Sequence, residues 1–259
     1  MHKSVLAIAA HPDDIEFVMS GTLLQLIAVG WQAHYFNIAN GCCGSTKLAR
    51  SEIAAVRLHE AQAAAALLPA AFYEPVCNDL EIFYTAELHA QVAAVVRRAR
   101  PSIVLTHSLS DYMEDHQNTA RLAVSAAFVR GMPNFATVPP VDTYDQHVAV
   151  YHAQPHGNCT PMGQAVIPDY FVETTDLLER KRGLLAEHRS QGTWLSDTQE
   201  MGSYLTTMQE LGREVGQMSG KYTYAEGWRK HLHLGLATRE FDPLADALQA
   251  CIALSPTVH

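Results

Sequence analysis

The chain has little that would direct it to a nucleic acid or a membrane. Its 18 lysines and arginines are outnumbered by 27 aspartates and glutamates, which gives a formal net charge of −9, whereas nucleic-acid binding usually leaves a basic footprint. No uninterrupted apolar run approaches the roughly 18 residues that a membrane span requires. These absences argue against a polyanion or a lipid bilayer as the main partner and favour a neutral or polar small molecule.

Cysteine is scarce as well. The chain has five, an odd number without C-x-x-C spacing, and this pattern favours reduced thiols over a disulfide framework or a zinc knuckle. They are Cys42, Cys43, Cys77, Cys159 and Cys251. The first residues also lack the long apolar segment and the small-residue cleavage site of a secretory signal. Both features predict a cytoplasmic protein.

Strand and helix patterns alternate through the first two thirds of the chain. Apolar runs predict strands over 5–9, 33–39, 71–76 and 101–106, and helical periodicity predicts helices over 17–29, 50–68 and 86–99. This alternation predicts an α/β fold with a Rossmann-like, mainly parallel sheet and helices on both faces. If the strand order is 3-2-1-4, the first and fourth strands end at one crevice, where such sheets bind ligands.

The last third of the chain is mainly helical in its periodicity, over 175–189, 197–218 and 222–236. Aromatic residues at Trp194 and over 222–228 can stack on a sugar ring, although packing is the commoner role of an aromatic side chain. No linker, repeat or low-complexity tract interrupts the chain. The sequence therefore predicts one domain over 1–259, with a Rossmann-like part at about 4–191 and a mostly helical part at about 192–259.

The most informative stretch is Ala-His-Pro-Asp-Asp at 10–14, directly after the first predicted strand. Pro12 has a fixed φ and biases the preceding residue towards extended backbone, so His11 projects from the strand end while Asp13 and Asp14 begin the next turn. An imidazole and a carboxylate at this spacing can bind a divalent cation and leave the second carboxylate to handle a proton. Capping of the following helix by either aspartate is the alternative.

A second group of polar residues follows the fourth predicted strand, over 106–116. His116 can complete a triad with His11 and Asp14, and three protein ligands with one open position are typical of a catalytic zinc site. Asp115 can accept the remaining N–H of a metal-bound histidine or cap the next helix. The ligand types favour Zn²⁺, although iron, cobalt and nickel accept the same donors.

Three more motifs accompany these two groups, Ser20-Gly21-Thr22, Arg57-x-x-Glu60 and His188-x-Ser190-Gln191, and the second group itself contains Asp111-Tyr112-x-x-Asp115-His116. Together, over about residues 4–191, they resemble the zinc-dependent PIG-L/LmbE-like N-deacetylases. The resemblance implies a hydrolase that removes an N-acetyl group from an N-acetylglucosamine-type amino sugar or sugar conjugate. It also implies a homo-oligomer, since relatives often form trimers or hexamers.

The resemblance further implies roles for individual residues. Zinc would be bound by His11, Asp14 and His116, and Asp13 would be the general base towards a water activated by the metal. Three residues are expected to bind the substrate: Arg57, Asp111 and Met113. A surface ion pair with Glu60, three residues further along the helix, is the alternative role for the arginine.

Met113 departs from the family pattern, which has a histidine at this position as an acid or oxyanion stabiliser. A thioether cannot donate a proton, so Asp13 is expected to return its proton to the leaving amine, with His188 or His107 assisting. Two alternatives follow from the departure. The chain can be a metallohydrolase of another amide or ester, or a sugar- or nucleotide-binding protein with little turnover. A nucleotide site would call for G-x-G-x-x-G after the first strand, where His11 to Asp14 lie instead.

Overall fold

The computed structural model describes residues 3–192 and 204–255. Within them, eight strands form one sheet in the order β3-β2-β1-β4-β5-β7-β6-β8. The strands are β1 (Ser4–Ala9), β2 (Gln32–Asn37), β3 (Ala71–Tyr73), β4 (Ile103–Thr106), β5 (Ala149–Ala153), β6 (Tyr170–Glu173), β7 (Ala225–Lys230) and β8 (Ile252–Leu254). The predicted order 3-2-1-4 is confirmed.

Strand pairing changes once across the sheet, from parallel to antiparallel. The five strands from β3 to β5 pair in parallel, and β7, β6 and β8 continue the sheet with antiparallel pairs. Parallel strands need crossover connections, which helices provide here. The predicted α/β class with a mainly parallel, Rossmann-like sheet is therefore confirmed.

Helices pack on both faces of the sheet. They are α1 (Asp14–Val18), α2 (Ser20–Ala28), α3 (Arg50–Leu67), α4 (Ala86–Ala99), α5 (Glu114–Phe128), α6 (Leu178–Leu185), α7 (Tyr204–Ser219) and α8 (Pro243–Ala247). The helix predicted over 17–29 is divided in two, because Met19 leaves helical geometry at φ −131°. In the described part of the chain, no helix has both the length and the apolar character needed to cross a bilayer.

Two apolar cores lie on opposite sides of the sheet, because successive side chains of a strand point to opposite faces. In β1, Val5 and Ala7 belong to one core, whereas Leu6 and Ile8 belong to the other. All four are fully buried. A strand that is buried on both faces consists mainly of apolar residues, so polar side chains that could act on a ligand begin where the strand ends.

The helix predicted over 222–236 is wrong, because this segment contains β7, which lies between β5 and β6. Glu226 and Trp228 are buried there, and the alternation of polar and apolar residues that normally marks a strand is lost. The helix predicted over 197–218 is confirmed from Tyr204 onwards as α7. Residues 197–203 and Trp194, the aromatic residue considered for sugar stacking, lie outside the described residues.

Glu226 anchors the start of α2 to the sheet. Its carboxylate accepts hydrogen bonds from the backbone N–H groups of Gly21 (2.8 Å) and Thr22 (2.7 Å), and it forms a buried ion pair with Lys181. A Cβ atom on Gly21 would lie 2.9 Å from Glu226 Oε1 and 2.4 Å from Thr174 Cγ2. Glycine is therefore required in the Ser-Gly-Thr motif for this close approach.

We expect Glu226→Gln to lower the free energy of unfolding by about 3 kcal/mol, because it leaves a buried lysine without its counter-ion. Urea denaturation measures this loss. Glu240→Gln is the matched control, since it removes an ion pair to Lys230 in which Glu240 is exposed, and its effect should be much smaller. Equal stability of the two variants would contradict the anchoring role.

Candidate active site and metal centre

The polar segments that follow β1 and β4 lie side by side because these strands are parallel neighbours, with Ile8 opposite Thr106. A hydrogen bond joins the two segments one residue beyond each strand, where the Ala10 N–H donates to His107 Nε2 at 3.0 Å. The crevice thus opens at the carboxyl ends of the strands, as predicted for this class of sheet.

The His-Pro-Asp-Asp turn is closed by its own polar groups. Asp14 Oδ2 accepts the His11 N–H at 2.7 Å, and the Asp14 N–H donates to the His11 carbonyl at 3.3 Å. Asp13 has a φ of 110°, a conformation that residues other than glycine rarely adopt. Its carboxylate makes no hydrogen bond to the start of α1, so capping does not explain this residue. Strained backbone of this kind is typical of functional sites.

The structure brings together the three predicted metal ligands. One ligand atom from each of His11, Asp14 and His116 lies within 4.8 Å of the others. His11 Nδ1 is 3.5 Å from Asp14 Oδ2, and His116 Nε2 is 3.4 Å from Asp14 Oδ1. The other ring nitrogen of each histidine contacts a second carboxylate. His11 Nε2 lies 2.9 Å from Asp115 Oδ2, and His116 Nδ1 lies 3.0 Å from Asp111 Oδ1.

This arrangement fits a divalent transition metal. Hydrogen bonds from the outer ring nitrogens to carboxylates select the tautomer and leave the inner nitrogens free to coordinate. Asp115 thus has the first of its two predicted roles, as a partner of His11. Asp111, predicted to bind substrate, lines the cavity beside the triad, and its oxygens also contact His116 and accept the backbone N–H groups of Met113 and His156.

Negative charge around the two histidines raises their affinity for cations, including protons. Burial lowers the pKa of His11, but hydrogen bonds to Asp115 and Asp14 raise it to about 9. Burial likewise opposes protonation of His116, but Asp14 and Asp111 raise its pKa to about 10. Burial would raise the pKa of Asp14, yet His116 and His107 hold it well below its usual value.

Asp13 faces the same cavity from beside the triad. Its Oδ2 accepts a hydrogen bond from the Tyr204 hydroxyl at 2.6 Å and lies 3.3 Å from Arg57 Nη2. Burial raises the pKa of the Asp13 carboxyl. Arg57 opposes this rise, and the negative charge of Asp14 adds to it. Tyr204 lies on α7 and was not found from the sequence, because no motif surrounds it.

Arg57 does not pair with Glu60, so the predicted alternative of a surface ion pair is wrong. The arginine is buried and donates to the carbonyl groups of Pro12 and Gly41. Glu60 instead accepts hydrogen bonds from the N–H (2.9 Å) and hydroxyl (2.6 Å) of Ser190. Gln191 donates to the Gly44 carbonyl at 3.0 Å. The His-x-Ser-Gln motif therefore fastens the C-terminal end of the Rossmann-like part to α3 and its preceding loop.

His188, predicted to be catalytic, lies one layer beneath Asp13. Its side chain is fully buried and its Nε2 is 3.2 Å from Glu16 Oε2, an oxygen that also accepts the Tyr35 hydroxyl at 3.2 Å. Burial lowers the pKa of His188, but Glu16 and Asp13 raise it above its usual value. Among the described residues, His188 does not line the cavity beside the triad, but it lines a smaller one together with Tyr204.

The cavity encloses about 420 Å³. Besides the triad and Asp13 it is lined by charged and polar side chains and by several aromatic rings, among them Arg57, Asp79, His107, Met113, Phe17, Tyr112, His156 and Tyr204. His107 stacks on His116 with ring centroids 4.1 Å apart, and burial and His116 lower its pKa. A neutral His107 whose Nε2 accepts the Ala10 N–H has no proton to donate from that atom.

The fold and the site together define an α/β protein with a candidate metal centre and an adjacent carboxylate. A family model described as "PIG-L: GlcNAc-PI de-N-acetylase" matches residues 6–127. Diacetylchitobiose deacetylase of Thermococcus kodakarensis is 30% identical over 237 residues, which cover 88% of this chain and 82% of that protein. This chain belongs to the PIG-L family, as its motifs predicted.

Other relatives extend the comparison. The structure of N,N'-diacetylchitobiose deacetylase from Pyrococcus horikoshii, in complex with its inhibitor MPG, matches with a TM-score of 0.74 and 26% identity over 93% of this chain and 88% of that chain. A 4-oxalmesaconate hydratase of Pseudomonas putida is 28% identical over 187 residues, 69% of this chain and 70% of that protein. Similar sequences thus include both deacetylases and a hydratase.

We expect metal binding at this site to release protons, because the pKa values of His11 (about 9) and His116 (about 10) keep both rings protonated near neutral pH. The apparent Zn²⁺ affinity should rise by up to about a hundredfold per pH unit between about pH 6 and 8, since up to two protons leave. Calorimetry in buffers of different ionisation enthalpy counts them. Replacement of the exposed His59 by alanine should not change the count, and release of no protons would contradict the ligand assignment.

Proposed function

We propose that this protein is a metal-dependent N-deacetylase acting on an N-acetylglucosamine-type amino sugar or sugar conjugate. The observation that carries the proposal is the placement of Asp13 beside the His11, Asp14 and His116 cluster, facing one cavity. A volume of about 420 Å³ is within the range of small-molecule sites. The diacetylchitobiose deacetylase relatives support the substrate class.

Zn²⁺ is the proposed metal, since two imidazole nitrogens and one carboxylate suit it, although other divalent transition metals accept the same donors. When bound, the ion would polarise the amide carbonyl and lower the pKa of a water. Asp111 and Asp115 would keep the two histidine rings in the orientation that coordination needs.

Asp13 is proposed as the group that moves the proton. Its carboxylate takes a proton from the attacking water and returns it to the nitrogen of the breaking amide bond, as a general base and then a general acid. Met113 cannot donate a proton, and His107 Nε2 is engaged with the Ala10 N–H. The raised pKa of Asp13 helps it to hold the proton between the two transfers.

Four residues would position Asp13 or the substrate. Tyr204 and Arg57 hold the Asp13 carboxylate from two sides, and Arg57, with Met113, also lines the cavity where polar groups of the sugar would lie. His188 is proposed as a positioning residue that acts through Glu16 beneath the site. Its full burial favours this positioning role over direct proton transfer by His188.

We also propose that residues 1–259 work as one deacetylase domain. Support comes from α7, which contributes Tyr204 to the site, and from β7, whose Glu226 fixes α2. A homo-oligomer, a trimer or hexamer, is the proposed assembly, and the cytoplasm is the proposed location.

A hydratase is the second candidate, favoured by the similarity to 4-oxalmesaconate hydratase. Addition of water to a double bond also needs a base that takes a proton from water and returns it, in that case to carbon. The absence of an imidazole donor at Met113 is compatible with either reaction. The two reactions differ in their products, since only deacetylation releases an amine.

We expect the Zn²⁺-loaded protein to release amine from N-acetylglucosamine or diacetylchitobiose, and Asp13→Asn to lower the rate by about 10²- to 10⁴-fold without loss of bound metal. A fluorogenic amine reagent and metal analysis measure both. Asp14→Asn should lose the metal, and Asp142→Asn, at an exposed aspartate, should change neither. Hydration of 4-oxalmesaconate, an unsaturated tricarboxylate, without amine release would support the hydratase instead. An unchanged rate in Asp13→Asn would remove the proposed base.

We expect Tyr204→Phe to move the acidic limb of the pH–rate profile to higher pH. The Tyr204 hydrogen bond lowers the pKa of Asp13, so its loss raises that pKa and the basic carboxylate forms only at higher pH. The rate at neutral pH should fall by about tenfold, as for a lost charge-assisted hydrogen bond. Tyr222→Phe is the control, since the buried Tyr222 hydroxyl has no hydrogen-bond partner among the described residues. An acidic limb that moves to lower pH, or does not move, would contradict this role.

A further inference from the structure

Two adjacent thiols lie at the rim of the cavity and have no part in the proposed deacetylation. Cys42 and Cys43 are in the loop that connects β2 to α3, and their Sγ atoms are 4.0 Å apart. Both are free thiols. Cys43 is exposed and lines the cavity next to Gly44, whereas Cys42 is buried behind it.

The loop holds the two sulfur atoms in a fixed place. Asp79 accepts hydrogen bonds from the backbone N–H groups of Gly41 (2.6 Å) and Cys43 (2.8 Å). Asn40 Oδ1 accepts the N–H of Cys42 at 3.1 Å. Gly41, at a φ of 78°, provides the turn that allows this chelation of one carboxylate by two N–H groups. The thiols are therefore preorganised by backbone contacts.

The spacing of the donors suits a metal ion that prefers sulfur. Ligand atoms of Cys42, Cys43 and Asp79 all lie within 4.8 Å of one another. Two thiolates bound to tetrahedral zinc at about 2.3 Å are about 3.8 Å apart, close to the 4.0 Å between these sulfur atoms. Little movement is needed to place both on one ion.

Charged side chains surround the pair of thiols. Arg50 Nε donates to Cys42 Sγ at 3.0 Å, so a guanidinium faces the buried sulfur and can compensate negative charge on it. The arginine is in turn paired with Glu81 at 2.7 Å, which limits its repulsion of an incoming cation. The carboxylate of Asp79 supplies further negative charge on the other side.

We propose that Cys42, Cys43 and Asp79 form a second cation site, selective for thiophilic divalent ions such as Cd²⁺ and Zn²⁺. It differs in donor chemistry from the nitrogen and oxygen cluster of His11, Asp14 and His116, which has no sulfur. The class of ligand follows from this difference, because soft thiolates select soft or borderline cations.

Occupancy of this thiol site should lower turnover, a consequence that rests on the proposed function. Cys43 and Gly44 both line the cavity, so an ion on the thiols would lie against its wall and reduce the space for a substrate. It also engages Asp79, whose Oδ2 lies 4.0 Å from Arg57 Nη1, and adds positive charge next to an arginine that is proposed to contact the substrate. The site would then make the enzyme sensitive to excess thiophilic metal.

Titration of the full-length, phosphine-reduced protein with Cd²⁺ tests the thiol site through the near-ultraviolet charge-transfer absorption of cadmium thiolates. We expect a saturable absorption in the wild type that is lost in Cys42→Ser and Cys43→Ser. Cys159→Ser is the matched control and should retain it, as should His116→Ala, in which the other cluster is broken. Absence of the absorption in the wild type, or its persistence in Cys43→Ser, would overturn the proposal. Replacement of Cys43 by alanine repeats the test independently of the serine variant.

A second measurement addresses the effect on turnover. Half-inhibition of amine release by Cd²⁺ should require at least about tenfold more of the ion in Cys43→Ser than in the wild type, as expected when a chelating ligand is lost. Equal sensitivity of the two proteins would overturn the inhibitory role. The absorption measurement needs no turnover, so failure of the deacetylase proposal would leave the result for the thiol site intact.

Discussion

Parallel pairing of β1 with β4 is the constraint on which the rest of this structure depends. These strands are distant in sequence, yet their register places the segments that follow them at one edge of the sheet, where a hydrogen bond from Ala10 to His107 joins them. Every group of the candidate metal centre comes from one of these two segments. A shift of one residue between the strands would turn alternate side chains to opposite faces and separate the histidines.

The centre is costly to bury, and its design compensates that cost with paired charges. Asp14 lies among the imidazoles of His11, His107 and His116, and carboxylates behind two of these rings balance them in turn. A buried carboxylate without such partners would lose its charge. The same partners that hold protons on the histidines also favour a divalent cation, so proton and metal compete for the same lone pairs.

How much of the site could be predicted depended on where each residue lies relative to a strand end. His11, Asp14 and His116 follow strands directly and form compact motifs, so the sequence placed them together correctly. Tyr204 reaches Asp13 from a helix 191 residues away in sequence, and no local pattern marks such a contact. The alternative pairing of Arg57 with Glu60 failed for a related reason: a spacing of three residues permits an ion pair, but Pro12 and Ser190 offer partners that the sequence does not reveal.

The fold was predictable in its parallel half and less so beyond it. Alternating strands and helices set the order 3-2-1-4 through general rules of handedness and connection. These rules did not predict β7. Its Glu226 carboxylate is buried, where it pairs with Lys181 and accepts hydrogen bonds from backbone N–H groups of α2. A buried, paired glutamate looks in the sequence like the exposed face of a helix, so long-range pairing overrode the local pattern there.

Because Met113 cannot donate a proton, the proposed chemistry depends on Asp13. A carboxylate accepts a proton more readily as its pKa rises towards the working pH, and one that must then return the proton needs an intermediate proton affinity. Opposed influences act on Asp13: burial and Asp14 raise its pKa, whereas Arg57 and the Tyr204 hydroxyl lower it. In the proposed mechanism no imidazole takes the second step, so this balance would determine whether one carboxylate can serve both. Tyr204, from outside the motif-bearing part of the chain, therefore acts on the pKa of the proposed base as directly as the motif residues do.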